Sequence, residues 1–179
     1  DDIWEKSKLE KSIYWLNNGY DIVYHDMKVV SNKFIYLGSR KFFTRQLKSP
    51  VFYDLLVNGN TLPTSSVIVK KDILDKTGTF NNNEDLIASE DYDLWLRVSE
   101  QTQRFKRVDG VLGSLYRGND NQHTSSRIIT NLHYFEKNYL IKLSDEQRNQ
   151  TYKNWINYLY GRCYYQQRRH SEARPYLLK

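Results

Sequence analysis

The segment Glu90-Asp91-Tyr92-Asp93-Leu94-Trp95-Leu96-Arg97 constrains the fold of this chain more than any other. Two adjacent acids stand in front of apolar residues at helical spacing, which predicts an amphipathic helix that begins at the acids. A helix N-terminus stabilises negative charge through its dipole and its free N–H groups. A carboxylate that stays ionised there can accept a proton as a general base, or it can simply cap the helix.

Several other segments accompany this one in a fixed order. They are Asp1-Asp2-Ile3-Trp4, Lys8-Leu9-Glu10-Lys11, Val23-Tyr24-His25-Asp26, Asn60-Thr61-Leu62-Pro63-Thr64-Ser65-Ser66-Val67-Ile68-Val69, Gly78-Thr79-Phe80-Asn81 and Leu115-Tyr116-Arg117. In order and spacing, residues 1 to about 117 resemble the catalytic half of the family 2 glycosyltransferases, which are inverting enzymes with the GT-A fold. That family has an acidic metal-binding motif before a Lys-Leu-Glu helix, a later Ser-containing strand, and an Glu-Asp-x-Asp helix.

The resemblance implies an α/β fold, with a GT-A-type mixed sheet and flanking helices, over residues 1–126. Only the C-terminal, acceptor half of that fold is expected here, because the family's nucleotide-binding strand and turn do not occur in this sequence. A helical appendage is expected over residues 127–179. The processive Gln-x-x-Arg-Trp signature is also missing, so we expect an enzyme that adds a single sugar.

The implied reaction is inverting transfer of a sugar from a nucleotide-sugar donor to a glycan or a lipid-linked acceptor, in bacterial surface polysaccharide synthesis. Such a reaction needs a divalent cation on the diphosphate leaving group and a carboxylate that deprotonates the acceptor hydroxyl. By resemblance, Asp91 is the catalytic base, and Glu90 orients it or touches the acceptor. Asp1 is the metal ligand for Mg²⁺ or Mn²⁺, which prefer oxygen ligands, and Asp2 lies beside the metal or the sugar.

Four more residues complete the expected site. Ser65 and Ser66 line the acceptor side of the cleft by resemblance. Arg117 and His123 lie in a polar loop after the last expected strand, where the arginine would clamp phosphate and the histidine would add a ligand for the metal. Three of these residues have an alternative: turn chemistry for the two serines and a solvated loop position for His123. The opening acids Asp1 and Asp2 also have one, which is a helix N-cap.

The other residues of the acidic segment have structural interpretations. Asp93 is expected to bond backbone amides in the first helical turn, and Arg97 to pair with an acid elsewhere in the fold. Trp95 and Leu96 are expected in the core rather than at a sugar platform. Val51 to Val57 is predicted to be helical, and residues 31–50 are predicted to be a loop.

Composition limits the classes of partner. The net charge of +6 over 179 residues suits an anionic sugar nucleotide or an anionic membrane surface. Basic residues form no run of four or more, so we expect no nucleic-acid partner. A single cysteine, Cys163, gives no sign of an oxidising compartment. No stretch reaches about 20 apolar residues, so the predicted location is cytoplasmic, with peripheral association at the inner face of the membrane allowed.

The final residues have a different character. Helical spacing begins at Arg127, a second helix start falls at Ser144, and small residues after Gly161 follow the pattern of one tetratricopeptide helix pair. The functional alternative is therefore a non-catalytic interaction module that binds a protein through this helical tail. Because half of a mixed sheet exposes an edge and an apolar face, a homodimer is also compatible with the sequence.

Overall fold

The structure is a computed structural model that describes residues 2–30, 40–116 and 124–178. The strands are β1 (Ile3–Trp4), β2 (Ile22–Val30), β3 (Arg40–Phe42), β4 (Ile68–Val69) and β5 (Phe105–Tyr116). They form one mixed sheet in the order β1-β5-β2-β3, with β4 also paired to β2. Strands β2 and β5 run parallel, and the other pairs are antiparallel.

Helices flank this sheet and continue beyond it. They are α1 (Lys8–Asn17), α2 (Val51–Asn58), α3 (Lys71–Thr77), α4 (Glu90–Gln101), α5 (Ser125–Asn138), α6 (Asp145–Thr151), α7 (Asn157–Gln166) and α8 (His170–Leu177). Short 3₁₀ turns cover Thr64–Ser66, Glu84–Leu86 and Leu140–Lys142, and a π-helical segment, Tyr152–Ile156, joins α6 to α7. The expected α/β class with a mixed sheet and flanking helices is therefore confirmed.

Strand β2 is the centre of the sheet because it pairs with β5 on one side and with β3 and β4 on the other. Its residues 22–27 are all buried, so both faces of the strand are covered. Ile22 and Tyr24 face the main core, and Val23 faces a smaller cluster with Val108 and Leu112 under α1. A strand buried on both faces typically has consecutive apolar residues instead of alternating apolar and polar ones, as at Ile22, Val23 and Tyr24.

The helices after residue 124 share the main core with α2 and α4. Leu132 and Phe135 of α5 lie in the same buried cluster as Leu55 of α2 and Leu96 of α4. The Phe135 ring is 4.7 Å from the ring of Tyr92 at the start of α4. In the structure, the predicted helical appendage is therefore packed directly on the elements that carry the acidic segment.

Two of the expectations for helix α4 are confirmed and two are corrected. Trp95 and Leu96 are buried, as expected for core residues. The prediction for Arg97 was wrong, because its partner Asp93 lies one turn earlier on the same helix, at 2.8 Å. Asp93 is structural but bonds side chains instead of amides, since its other oxygen accepts from the Tyr139 hydroxyl at 2.6 Å. The segment 31–50, predicted to be a loop, contains β3, which adds an edge strand to the sheet.

Within residues 2–30, 40–116 and 124–178, no helix is long and apolar enough to cross a membrane.

Candidate functional site

One short turn connects the two acidic segments of the sequence. The 3₁₀ turn Thr64–Ser66 donates a hydrogen bond from the Thr64 hydroxyl to Asp91 Oδ2 at 2.6 Å. The next hydroxyl, that of Ser65, donates to Asp2 Oδ2. The path from the Asp91 carboxylate to the Asp2 carboxylate consists of two hydrogen bonds, the side chains of Thr64 and Ser65, and one Cα–Cα step. Its length limits the distance between the two carboxylates to no more than about 14 Å. The structure therefore brings residues from opposite ends of the expected domain to one place.

Asp2 is fixed by the edge of the sheet. Ile3 and Trp4 pair with Ser114 and Gly113 of β5, which sets Asp2 beside the carboxyl end of that strand. Its second oxygen, Oδ1, accepts the backbone N–H of Tyr116 at 2.8 Å. The segment is therefore a strand, and the helix N-cap alternative for Asp2 is wrong because Ile3–Trp4 pairs with β5.

The carbonyl oxygen of Ser65 receives two further donors from the same segment. The Trp4 indole donates at 3.1 Å, and the Lys8 ammonium donates at 2.6 Å. The Lys8 nitrogen also lies 3.7 Å from the centre of the Trp4 ring, a cation–π distance. Lys8 is fully buried, and this burial lowers its pKa to about 8. Residues Asp2 to Lys8 thus hold the turn through its hydroxyl and its carbonyl.

The start of α4 is held from the opposite side by α5. Ala88 has a positive φ of 68°, which is uncommon for a non-glycine residue, and it directs the chain into Ser89 and then the helix. The buried Asn131 side chain of α5 accepts from the Ser89 hydroxyl at 3.0 Å. The same amide donates to the carbonyls of Asp85 and Ile87. One residue of the helical region therefore fixes the loop that presents Glu90 and Asp91.

Glu90 and Asp91 are both half-buried. Asp91 also accepts the Tyr92 backbone N–H at 2.6 Å through Oδ1. In the described part of the chain, Glu90 Oε2 is a buried oxygen that has no hydrogen-bond partner. Neither side chain therefore acts only as a surface cap.

A cavity of about 420 Å³ opens beside Asp91. It lies between the start of α4, the loop after α2, helix α5, and the π-helical segment with α7; we call it the α4–α5–α7 cavity. Its wall includes Asp91, Asn60, Trp155, Tyr158 and Arg162. This volume falls in the range of about 300–1,000 Å³ that is usual for small-molecule sites.

Not every predicted site residue reaches this region. The Ser66 side chain is fully buried, and its hydroxyl donates to the Pro63 carbonyl at 2.7 Å, so it supports the turn and does not reach a ligand. Asp1, Arg117 and His123 lie outside the described residues. Ser65 is half-buried at the turn, next to Asp2.

The described residues contain no group of three or more His, Cys, Asp or Glu side chains arranged to hold a metal ion. Both oxygens of Asp2 accept protein hydrogen bonds, so Asp2 fits a role beside a cation better than a role as its ligand. The metal prediction therefore rests on Asp1 and His123.

Sequence reasoning missed Thr64, Lys8 and Asn131, which all support the site. Thr64 lies in the serine segment, but only Ser65 and Ser66 were singled out there. Lys8 gave no signal, because the apolar spacing of its helix points to Leu9 and Ile13, which the structure leaves about half exposed. Asn131 gave none, because an asparagine in a helix is common and its partners are far away in sequence.

Comparison with protein-family models and with curated proteins gives no match to this sequence. The geometry described above is therefore what bears on function.

Proposed function

We propose that the chain is the acceptor-binding, catalytic part of an inverting glycosyltransferase of the family 2 type. It would transfer a sugar from a nucleotide-sugar donor to a glycan or lipid-linked acceptor. The observation that carries this proposal is the pair of hydrogen bonds from Thr64 to Asp91 and from Ser65 to Asp2. These bonds tie the start of α4 and the acidic segment before β1 to the same turn, which supports a single site formed by both segments.

Asp91 would act as the general base. The residue lines the cavity, and the Thr64 hydroxyl donates to one of its carboxylate oxygens, which supports this role. In the reaction, an acceptor hydroxyl attacks the anomeric carbon and loses its proton to Asp91, while the bond from that carbon to the diphosphate oxygen breaks. The positioned base contributes about 10²–10⁴-fold to such a step.

Mg²⁺ or Mn²⁺, held by Asp1 with His123, would neutralise the charge of the diphosphate leaving group. Arg117 has the charge to contact the same phosphates. Asp2 would support the site by fixing the end of β5 and the Ser65 turn. Glu90 would orient Asp91 or contact the acceptor.

The test is a transfer assay on the intact protein as its gene encodes it. The donors are radiolabelled UDP-glucose, UDP-galactose, UDP-N-acetylglucosamine, GDP-mannose and dTDP-rhamnose, and the acceptor is a membrane fraction of the source organism. We expect transfer from one donor, and we expect Asp91→Asn to reduce it by about 10²–10⁴-fold while donor binding is kept.

The matched control is Asp72→Asn, because Asp72 is also an acid in the first turn of a helix but lies at α3. It should transfer at the wild-type rate. Full activity of Asp91→Asn, or no transfer from any of the five donors, would remove the proposal.

The alternative is a protein-interaction module, and exposed apolar side chains of the tail favour it. Tyr165 is 60% exposed and Leu178 is 74% exposed. In this case, Tyr165→Glu with Leu178→Glu would fail to complement a deletion strain, and Asp91→Asn would complement it fully.

A further inference from the structure

The α4–α5–α7 cavity connects the proposed base to the helical region of the chain. Asp91 lines the cavity together with Trp155, Tyr158 and Arg162, which belong to the π-helical segment and α7. A molecule bound in this cavity therefore contacts both the acidic segment and the last helices. Side chains that come after residue 125 thus contribute to the selection of whatever binds here.

The aromatic part of the wall is held rigidly. The Trp155 indole donates to the Leu56 carbonyl at 2.9 Å, which fixes the ring. Gly59 lies on this ring with a φ of 76°, and a Cβ built there would be 3.6 Å from the indole. The Tyr158 side chain is 60% exposed at the rim. Aromatic rings at such positions pack well against the C–H faces of a sugar ring.

The polar part of the wall can bond hydroxyl groups. The Asn60 side-chain oxygen accepts the Leu62 N–H at 2.9 Å. This bond does not use the NH₂ group of Asn60, which can donate to a ligand hydroxyl. Amide and phenol groups both donate and accept, as sugar hydroxyls do. The lining thus combines rings with hydrogen-bonding groups, which favours a carbohydrate over a purely apolar ligand.

Arg162 adds a positive charge to the same wall. Among the described residues, it takes part in none of the ion pairs, and its buried Nε has no hydrogen-bond partner. Its guanidinium carbon lies 5.8 Å from the centre of the Tyr158 ring. A half-buried guanidinium without a carboxylate partner favours an anionic group on the ligand.

From these contacts we infer that the α4–α5–α7 cavity binds the acceptor as a saccharide that carries an anionic group, with the sugar on Tyr158 and the anion at Arg162. This inference rests on the proposed function, since it takes Asp91 as the base that faces the acceptor hydroxyl. It makes the helices after residue 125 the part of the chain that determines acceptor specificity. The anion is a uronic acid carboxylate or a sugar phosphate.

Calorimetric titration of the intact protein tests the inference with three ligands: methyl α-glucoside, methyl α-glucuronide and glucose 1-phosphate. We expect at least one anionic sugar to bind about tenfold or more tightly than the neutral glycoside, in line with a charge-assisted contact. The tighter of the two anionic sugars identifies the carboxylate or the phosphate as the natural group. Equal affinity for all three, or no binding of either anion, would overturn the inference.

Two pairs of variants locate the binding. Arg162→Gln should reduce the affinity for the anionic sugar to that of the neutral one, and Arg174→Gln on α8 should not change it. Tyr158→Ala should weaken binding about three- to tenfold, and Tyr165→Ala should not, although both tyrosines lie on α7 and are 60% exposed. Unchanged affinity in Arg162→Gln would contradict the assignment.

Binding and transfer fail separately in these experiments. If the anionic sugar binds in an Arg162-dependent way but Asp91→Asn transfers normally, the site stands and the proposed function is wrong. If transfer depends on Asp91 but Arg162→Gln binds the anion as tightly as wild type, the proposed function stands and the anion site is wrong.

Discussion

The N-terminal segment Asp2–Lys8 and the helical region 125–177 support the same site in different ways. The first acts through hydrogen bonds to a single turn, and its side chains at Asp2 and Trp4 are exposed. The second acts through a shared aromatic core, with the buried amide of Asn131 as its direct contact to the loop before α4.

The two kinds of support contribute differently to stability. Hydrogen bonds at the surface contribute little to the free energy of unfolding, because water competes for the same groups. Buried rings and buried amides contribute much more, through cavity and desolvation costs. Site geometry should therefore be separable from stability at the exposed contacts of Asp2 and Trp4, and inseparable from it at the helical region.

The largest effect is expected from Phe135→Ala, in the core that the helical region shares with α2 and α4. Phe135 is 2% exposed, so its truncation should lower the free energy of unfolding by about 3–5 kcal/mol. Urea unfolding followed by circular dichroism measures it. Leu178→Ala, at a residue 74% exposed, is the control and should change little. A loss under about 1 kcal/mol at Phe135 would mean that the helices do not share this core.

Asn131→Ala should come next. It removes a buried amide that donates to the carbonyls of Asp85 and Ile87, and it should cost about 1–3 kcal/mol because these part-buried hydrogen bonds are lost. Hydrogen exchange should also become faster in the loop 85–89. Asn138→Ala, on the exposed side of the same helix, is the control. If the loop exchanged no faster in Asn131→Ala, the amide would not be what fixes it.

A pH-dependent effect is expected at Lys8. Burial lowers its pKa to about 8, so the unfolded chain binds this proton more strongly than the folded chain at higher pH. Relative to Lys8→Met, the free energy of unfolding of the wild-type protein should therefore rise by about 1 kcal/mol between pH 7.5 and 9.5. Urea unfolding at pH 7.5 and 9.5 measures the difference.

The upper pH is limited by the buried tyrosines. Burial raises the pKa of Tyr24 to about 12, which opposes the trend once unfolded tyrosines ionise near pH 10. Lys11→Met, on the exposed face of α1, should keep the wild-type rise. The same slope in all three proteins would exclude Lys8 as the group responsible.

The smallest effect on stability is expected from Ser65→Ala. It removes the hydroxyl that Asp2 accepts, at the surface, and should change the free energy of unfolding by about 0.5 kcal/mol or less. Amide exchange at Tyr116 should nevertheless become faster, because Asp2 accepts that N–H. Ser171→Ala, on exposed α8, is the control. A large loss of stability would mean that Ser65 stabilises the fold as the buried core residues do, and it would contradict the distinction between the two regions.

Local patterns predicted the elements better than the contacts between them. The helix from Val51, the start of α6 at Ser144 and the helix after Glu90 follow from apolar spacing and capping residues, and the structure contains all three. Strand β3 was missed, because its three residues Arg40–Phe42 carry no alternation and form a strand only through pairing with β2. The β-branched run Val67-Ile68-Val69 favours a buried strand, and in the structure it forms β4, which is half-buried and only two residues long.

Within the site, the sequence by itself determined which acids begin α4, because helix starts and apolar spacing are local properties. Only the tertiary structure decided that Thr64 and Ser65 bridge them, that Lys8 is buried against the Ser65 carbonyl, and that α5 and α7 form a wall beside Asp91. The physical reason is that these contacts join residues far apart in the chain. No local spacing encodes such contacts, and they form only when the sheet and the shared core bring the segments together.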